Sequence, residues 1–356
     1  KNIEVEDVTV HHAGGMGFVA ERTEDIKLNN FNVALKPGSG RMLTTTADAT
    51  HFNNCRGLVE ITDCTFENML DDGTNIHGVY MEITDIIDEY TVGAKIGHFQ
   101  QAGFDFAGQG DQLGFISDEK SLFPYNKNIV SGLEVLNDRY YLISFEEKIA
   151  PEVEIGDLLD NLDWYPEVIA RNNIVRNNRA RGFLFSSPKK IICENNYFSS
   201  MGEAIKADAR PGSNWYESGF ARELHIKNNH FAEGCFGGRA GSLISIYSAE
   251  TEDETVFNLI AIESNEFKTF DPCIIDAGKI DSLIIQKNKI YKSDKYPPIN
   301  ENNPVIEISN VKHTVFSENT FYAYEPSKIS IDEDSQTKLE EKNNRWIKNA
   351  ITKNEE

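Results

Sequence analysis

Three aspartates carry the pattern in this 356-residue chain that could do chemistry. Asp48, in TTTADATHF, lies 23 residues before Asp71 and 24 before Asp72, in NMLDDGTNIHG. Read alone, Asp71-Asp72-Gly73 is a common turn. What changes that reading is that 23 residues is also the shortest period at which a short phrase recurs along the chain. Asp48 and the pair therefore stand one repeat apart, and become neighbours if repeats stack at about 4.8 Å. Clustered carboxylates repel, which raises at least one pKa and keeps one group protonated near neutrality. Such a set is what glycosidic hydrolysis needs: an acid for the leaving oxygen and one or two bases holding a water on the opposite side of the sugar.

The phrase that sets the period is an aliphatic pair, a polar residue, one or two Asn-like residues, then an aromatic or aliphatic. It occupies 3–10, 26–33, 59–66 (VEITDCTF), 168–175 (VIARNNIV), 191–198 (IICENNYF), 224–231 (LHIKNNHF), 260–267, 283–290 and 314–321. Successive copies end 23, 33, 109, 23, 33, 36, 23 and 31 residues apart. Strand-like alternation at this period, without helical periodicity, predicts an all-β right-handed parallel β-helix, the longer spacings being loops. The Asn pairs 172–173, 195–196 and 228–229 are expected to stack as amide ladders at one turn, where Asn also tolerates left-handed backbone.

The 109-residue gap exceeds one coil by roughly 85 residues. Its segments GAKIGHF, GDQLGFIS, RYYLISFEE and VEIGDLLDNLDW alternate and are punctuated by Gly and Asp. We therefore expect a small antiparallel β-barrel over 79–164, inserted between β-helix parts at 1–78 and 165–336, with a charged tail at 337–356. The chain opens on Lys1 already in strand-like alternation, so upstream coils, and any export signal with them, are expected to have been removed.

Other polar residues fall on strands that follow the phrase. His77, Arg179, Arg181, Glu203, Lys206 and Asp208 are candidates for a sugar-binding face, although alternation pairs Arg181 with Phe183 and Glu203 with Ile205, so not all can line one groove. In GSNWYESG, Trp215 could stack on a hexose while Glu217 accepts its hydroxyls. The Gly-rich stretch at 233–241 lacks the strand–helix context and GK[ST] of a phosphate loop and reads as a turn.

Charge narrows the partners. Lys and Arg number 35 against 57 Asp and Glu, a formal −22, which repels nucleic acid and anionic membranes. No apolar stretch reaches the roughly 20 residues of a membrane span. Five cysteines without a CxxC pair, and dispersed histidines, argue for small buried hydrophobes and against zinc.

At ADATHFNNCRGLVEITDCTFENMLDDGTNIHG (47–78), RNNRARGFLFSSPKKIICENN (176–196) and NWYESG the chain resembles glycoside hydrolase family 110, bacterial exo-α-1,3-galactosidases, some of which act on the blood group B antigen. The resemblance covers most of the chain. It implies an inverting, metal-independent reaction with no cofactor, Asp71 as general acid and Asp48 and Asp72 as bases activating water. It also implies a glycan substrate with terminal galactose and a periplasmic or secreted location. Polygalacturonase-like β-helix glycosidases share the aspartate logic and a downstream Ile-Lys, here Ile205-Lys206. Two alternatives stay open: another inverting β-helix glycosidase, and a non-catalytic carbohydrate-binding β-helix in which the aspartates hold a cation that a chelator would remove.

Overall fold

The computed structural model describes residues 1–117, 120–210, 214–238 and 241–348. The recurring phrase is the register mark of a parallel β-helix. Its opening residues pair directly from coil to coil: Ile3 with Ile26, Ile26 with Val59, Val59 with Val168, then Ile191, Leu224, Ile260, Leu283 and Thr314. The pairing of Val59 with Val168 crosses the whole insertion, so the helix resumes on the coil it left.

Each phrase forms one strand, turns, and enters a second strand in a separate ten-stranded parallel sheet. The turn is made by a residue with left-handed backbone, including Asn172 (φ 58°), Asn195 (57°) and Asn228 (55°). The same conformation is imposed on Ser264 and Lys287 at equivalent points, so the stack dictates the turn and Asn merely enters it at least cost. The following Asn is buried in every rung but the last, Asn344, which is half-buried. Asn173, Asn196, Asn229, Asn265, Asn288, Asn319 and Asn344 form a ladder in which each amide donates to the next Oδ1 at 3.0–3.1 Å. Inside it runs a column of rings, with Phe198, Phe231 and Phe267 stacked at 5.2 and 4.7 Å between centroids. All five cysteines are free and buried.

The insertion is a closed barrel. Strand Thr74–Ile86 pairs with Thr91–Ile96, which continues through Tyr140–Phe145, Asn126–Val135, Gln112–Ile116 and Leu158–Asn161 back to Thr74–Ile86, every contact antiparallel. No strand edge is left open, and the closure encloses a second core around Met81, Val92, Phe115 and Ile143. Thr74–Ile86 belongs to both bodies. Its first residues pair in parallel within the β-helix, and those beyond Tyr80 face the barrel, so a single unbroken strand joins the two.

The charged end, expected as a frayed or capping tail, carries strands Leu339–Lys342 and Arg345–Ile347, which extend both sheets by another coil. The Asn344 rung and the stacking of Trp346 on Phe321 explain why it stays attached. Residues 349–356 lie outside those described, as do 239 and 240 of the Gly-rich stretch.

Candidate active site

The three aspartates meet where the chain leaves regular strand geometry. Asp48 precedes strand Thr50–Asn53, and Asp71 and Asp72 lie between Thr65–Glu67 and Thr74–Ile86. Register selects the 24-residue spacing: Thr50 pairs with Thr74, and Ala49 N–H donates to the Asp72 carbonyl at 2.9 Å. Asp48 thus stacks on Asp72, and Asp71 is displaced toward solvent. Regular strand geometry is broken from Asn68 to Gly73, and the backbone freedom of Gly73 is not the cause. The left-handed residue is Asn68 (φ 61°). Gly73 is needed for space, because a Cβ there would lie 2.5 Å from the Gly182 carbonyl and 2.7 Å from Val175.

One oxygen from each aspartate lies within 4.8 Å of the others, yet their surroundings differ. Asp72 is 1% exposed. Its oxygens accept from the Arg181 backbone N–H at 2.7 Å and the Arg181 guanidinium at 2.5 Å. Burial and the charges of Asp48 and Asp71 push its pKa upward, but a donor on each oxygen, one of them the Arg181 cation, holds it as a carboxylate. Asp48 accepts from Asp72 N–H at 3.2 Å and faces His51 Nδ1 at 2.7 Å. Asp71 is the accessible member. Its nearest cation is Arg179, at 3.9 Å, and among the described residues no hydrogen bond engages its carboxylate. Burial first, and then the Asp48 charge, raise its pKa against Arg181 and Arg179.

Two locked carboxylates and one accessible, proton-retaining carboxyl is an arrangement suited to acid/base work. A cation among them would compete with Arg181 for Asp72.

The aspartates form one wall of a cavity of about 450 Å³. Its floor is a row created by coil register: His51 pairs with Asn75, Asn75 with Leu184, and Leu184 with Lys206. Asp208 lies beyond, bridged by Lys206 at 3.3 Å and Arg210 at 2.8 Å. Opposite stands the loop carrying Trp215 and Glu217. Trp215 is 53% exposed with its ring 4.3 Å from that of His98 in the barrel. Glu217 accepts from Asn75 Nδ2 at 3.2 Å. Its strand, Glu217–Ser218, pairs antiparallel with Gly78 and Val79. Ser218 and Tyr165 hydroxyls both converge on the buried Asp160 carboxylate at 2.8 and 2.6 Å, which fixes this loop at the neck of the insertion.

Of the residues singled out in the sequence, Asp48, Asp71, Asp72, Arg179, Arg181, Lys206, Asp208, Trp215 and Glu217 line the cavity. His77 and Glu203 do not. His77 shares a face with Asn75 but is fully buried, covered by the His51 ring and by the Glu217 strand that pairs with Gly78 and Val79. Glu203 occupies the column of Asp48, Asp72 and Arg181 one coil further on, where its carboxyl lies near Gly241, outside the cavity. His51, Asn75, Leu184 and Arg210 were missed. The signal for the first three was the repeat itself, since each sits at one register position in successive coils.

Comparison with known proteins agrees with this architecture. Residues 91–159 match the family model GLAA-B β-barrel domain II, within the inserted barrel. The chain is 34% identical over 332 residues to an α-1,3-galactosidase A of Shewanella woodyi, covering 92% of this chain and 54% of the relative. It is 33% identical over 341 residues to an α-1,3-galactosidase B of Phocaeicola vulgatus, covering 89% and 57%. A third, an α-1,3-galactosidase B of Akkermansia muciniphila, is 34% identical over 303 residues, 83% of this chain and 38% of the relative. The chain spans about half the length of the curated relatives it matches. The resemblance to the α-1,3-galactosidases read from the aspartate block is borne out.

Proposed function

We propose that the chain is an inverting exo-α-1,3-galactosidase acting on glycans that end in α-1,3-linked galactose, such as blood group B-type structures. The observation that carries the reaction type is the unequal treatment of three adjacent carboxylates. Asp71, accessible and with its pKa raised, protonates the glycosidic oxygen as the bond breaks. Asp48 and Asp72 hold a water on the opposite face and take its proton as it attacks the anomeric carbon, so an α-linked sugar leaves as the β-anomer.

The spacing of the carboxylates is tighter than the roughly 6.5–9.5 Å usual for inverting enzymes, and the availability of their oxygens decides the stereochemistry instead. A nucleophilic carboxylate needs an oxygen free to bond carbon. Both Asp72 oxygens are engaged by Arg181, and both Asp48 oxygens by His51 and the Asp72 amide. Oxygens so engaged are poor nucleophiles but retain lone pairs that can orient water.

Sugar and linkage come from the relatives' names. The exposed Trp215 ring and the Glu217 carboxylate offer an apolar face and an acceptor that suit a hexose, while Lys206, Asp208 and Arg181 supply further hydrogen-bonding partners. A cell-surface or dietary glycan would be met outside the cytoplasm, which agrees with a periplasmic or secreted location. Chromatographic detection of free galactose from a panel of α-1,3- and α-1,4-linked galactosides tests the reading. Release from the α-1,3 members is expected, unaffected by a chelator. Release from none would overturn it, and loss of activity with a chelator would restore the cation-site alternative.

A further inference from the structure

His51 sits at the junction of the groove and the buried interior, and its hydrogen bonds can be counted. Its Nδ1 is 2.7 Å from Asp48 Oδ2 and its Nε2 is 2.9 Å from His77 Nε2. His77 Nδ1 is 2.6 Å from the Gly78 carbonyl. A carbonyl only accepts, so His77 Nδ1 bears a proton. A second proton must lie between the two Nε2 atoms, and a third between His51 and Asp48. Two neutral imidazoles supply only two. The set therefore holds one proton more than two neutral rings carry, and ring and carboxyl together resolve into imidazolium and carboxylate or into two neutral groups.

The surroundings choose the ionic form and place it on His51. Facing His51 are Asp48 on its own segment, Asp72, His77 and Asn75 on the next coil, and Glu217 on the loop strand. His77 Nε2 lies 3.6 Å from Glu217 Oε1. Burial works against charge on both rings. For His51 it is outweighed by the bond to Asp48 and the charges of Asp48, Glu217 and Asp72, so its pKa rises. For fully buried His77, burial prevails and the pKa falls.

We propose that His51 is a positioning residue for Asp48, locked as an imidazolium by neutral His77 behind it, so that Asp48 stays ionised with a fixed orientation toward the groove. The two rings meet edge-on at 82° with centroids 4.8 Å apart, which allows His51 no rotation without breaking a bond at each nitrogen. The positive charge also offsets repulsion between Asp48 and the Asp71–Asp72 pair, allowing a base to remain charged beside an acid that keeps its proton. This role rests on the hydrolytic reading of Asp48, whereas the protonation assignment stands without it.

The test uses the full chain with its eight histidines ring-labelled with nitrogen-15. At neutral pH, NMR should show one histidine with both nitrogens protonated, absent from the spectrum of H51Q, and a neutral Nδ1–H tautomer absent from that of H77Q. A neutral His51 in the wild type overturns the proposal, whether or not either variant folds. Kinetically, Gln keeps a donor to Asp48 but no charge. H51Q should lower kcat at least tenfold, leave KM within twofold, and move the acidic limb of kcat to higher pH, since a base stripped of its neighbouring cation takes a proton sooner. An unchanged limb and kcat would also overturn it. A wild type that hydrolyses none of the galactosides would instead remove the hydrolytic reading and the role that depends on it, while the imidazolium would still be seen.

Discussion

Trp215 rests against His98 with ring centroids 4.3 Å apart, which ties the loop over the groove to a barrel inserted more than a hundred residues earlier. Gln101 reinforces the tie by donating to the Trp215 carbonyl at 3.0 Å. The barrel therefore acts on the site through this loop. An aromatic pair of this kind contributes about 0.5–1.5 kcal/mol. H98A should raise KM for the galactoside by about 3–10-fold with kcat little changed, and Trp215→Ala should do so more strongly. Steady-state kinetics on one α-1,3-galactoside distinguishes this from a purely structural insertion, for which H98A would leave KM untouched.

Asp160 predicts a pH dependence of stability. Burial pushes it up to about 6 against the hydrogen bonds from Tyr165 and Ser218, so the folded protein holds this proton more tightly than the unfolded chain does. The stability it contributes is complete below the unfolded value of about 4 and is lost as pH rises toward 6. The amide that D160N introduces cannot titrate. Urea unfolding of the wild type and D160N should show their difference changing by up to about 3 kcal/mol between pH 4 and 6, to the disadvantage of the wild type. A constant difference would mean that Asp160 is ionised throughout.

The division of labour among the aspartates is testable by leaving group. Loss of an acid or base costs about 10²–10⁴ in rate. An aryl galactoside with a good leaving group needs little protonation, so D71N should recover much of its activity on that substrate, whereas D48N and D72N should not. All three should keep the β-helix circular dichroism spectrum. Equal losses on both substrates would take the acid role from Asp71.

The repeat made the scaffold legible because strand stacking turns sequence spacing into distance. The same nine phrases that mark the period are paired in the sheets, and the Asp48–Asp72 juxtaposition followed from one coil length. What the spacing left open was which face each side chain takes. His77 reads as a site residue, and it does share a face with Asn75, but the His51 ring and the Glu217 strand cover it. His51 was hidden because its importance lies in partners on another coil. The Trp215–His98 contact depends on how a separate barrel leans, which no repeat encodes. Gly73 reads in the sequence only as part of a turn, because what requires it is the carbonyl of Gly182 pressing on it from another coil and not its own φ.

The central claim is that Asp48 and Asp72 deliver water and do not bond to the sugar. Proton NMR of the anomeric region during the first minutes of hydrolysis of an α-1,3-galactoside tests it most directly. The geometry predicts that β-galactose appears first and the α-anomer grows in only as the sugar mutarotates. α-Galactose as the first product would mean a covalent intermediate on one of these carboxylates, and would contradict the assignment.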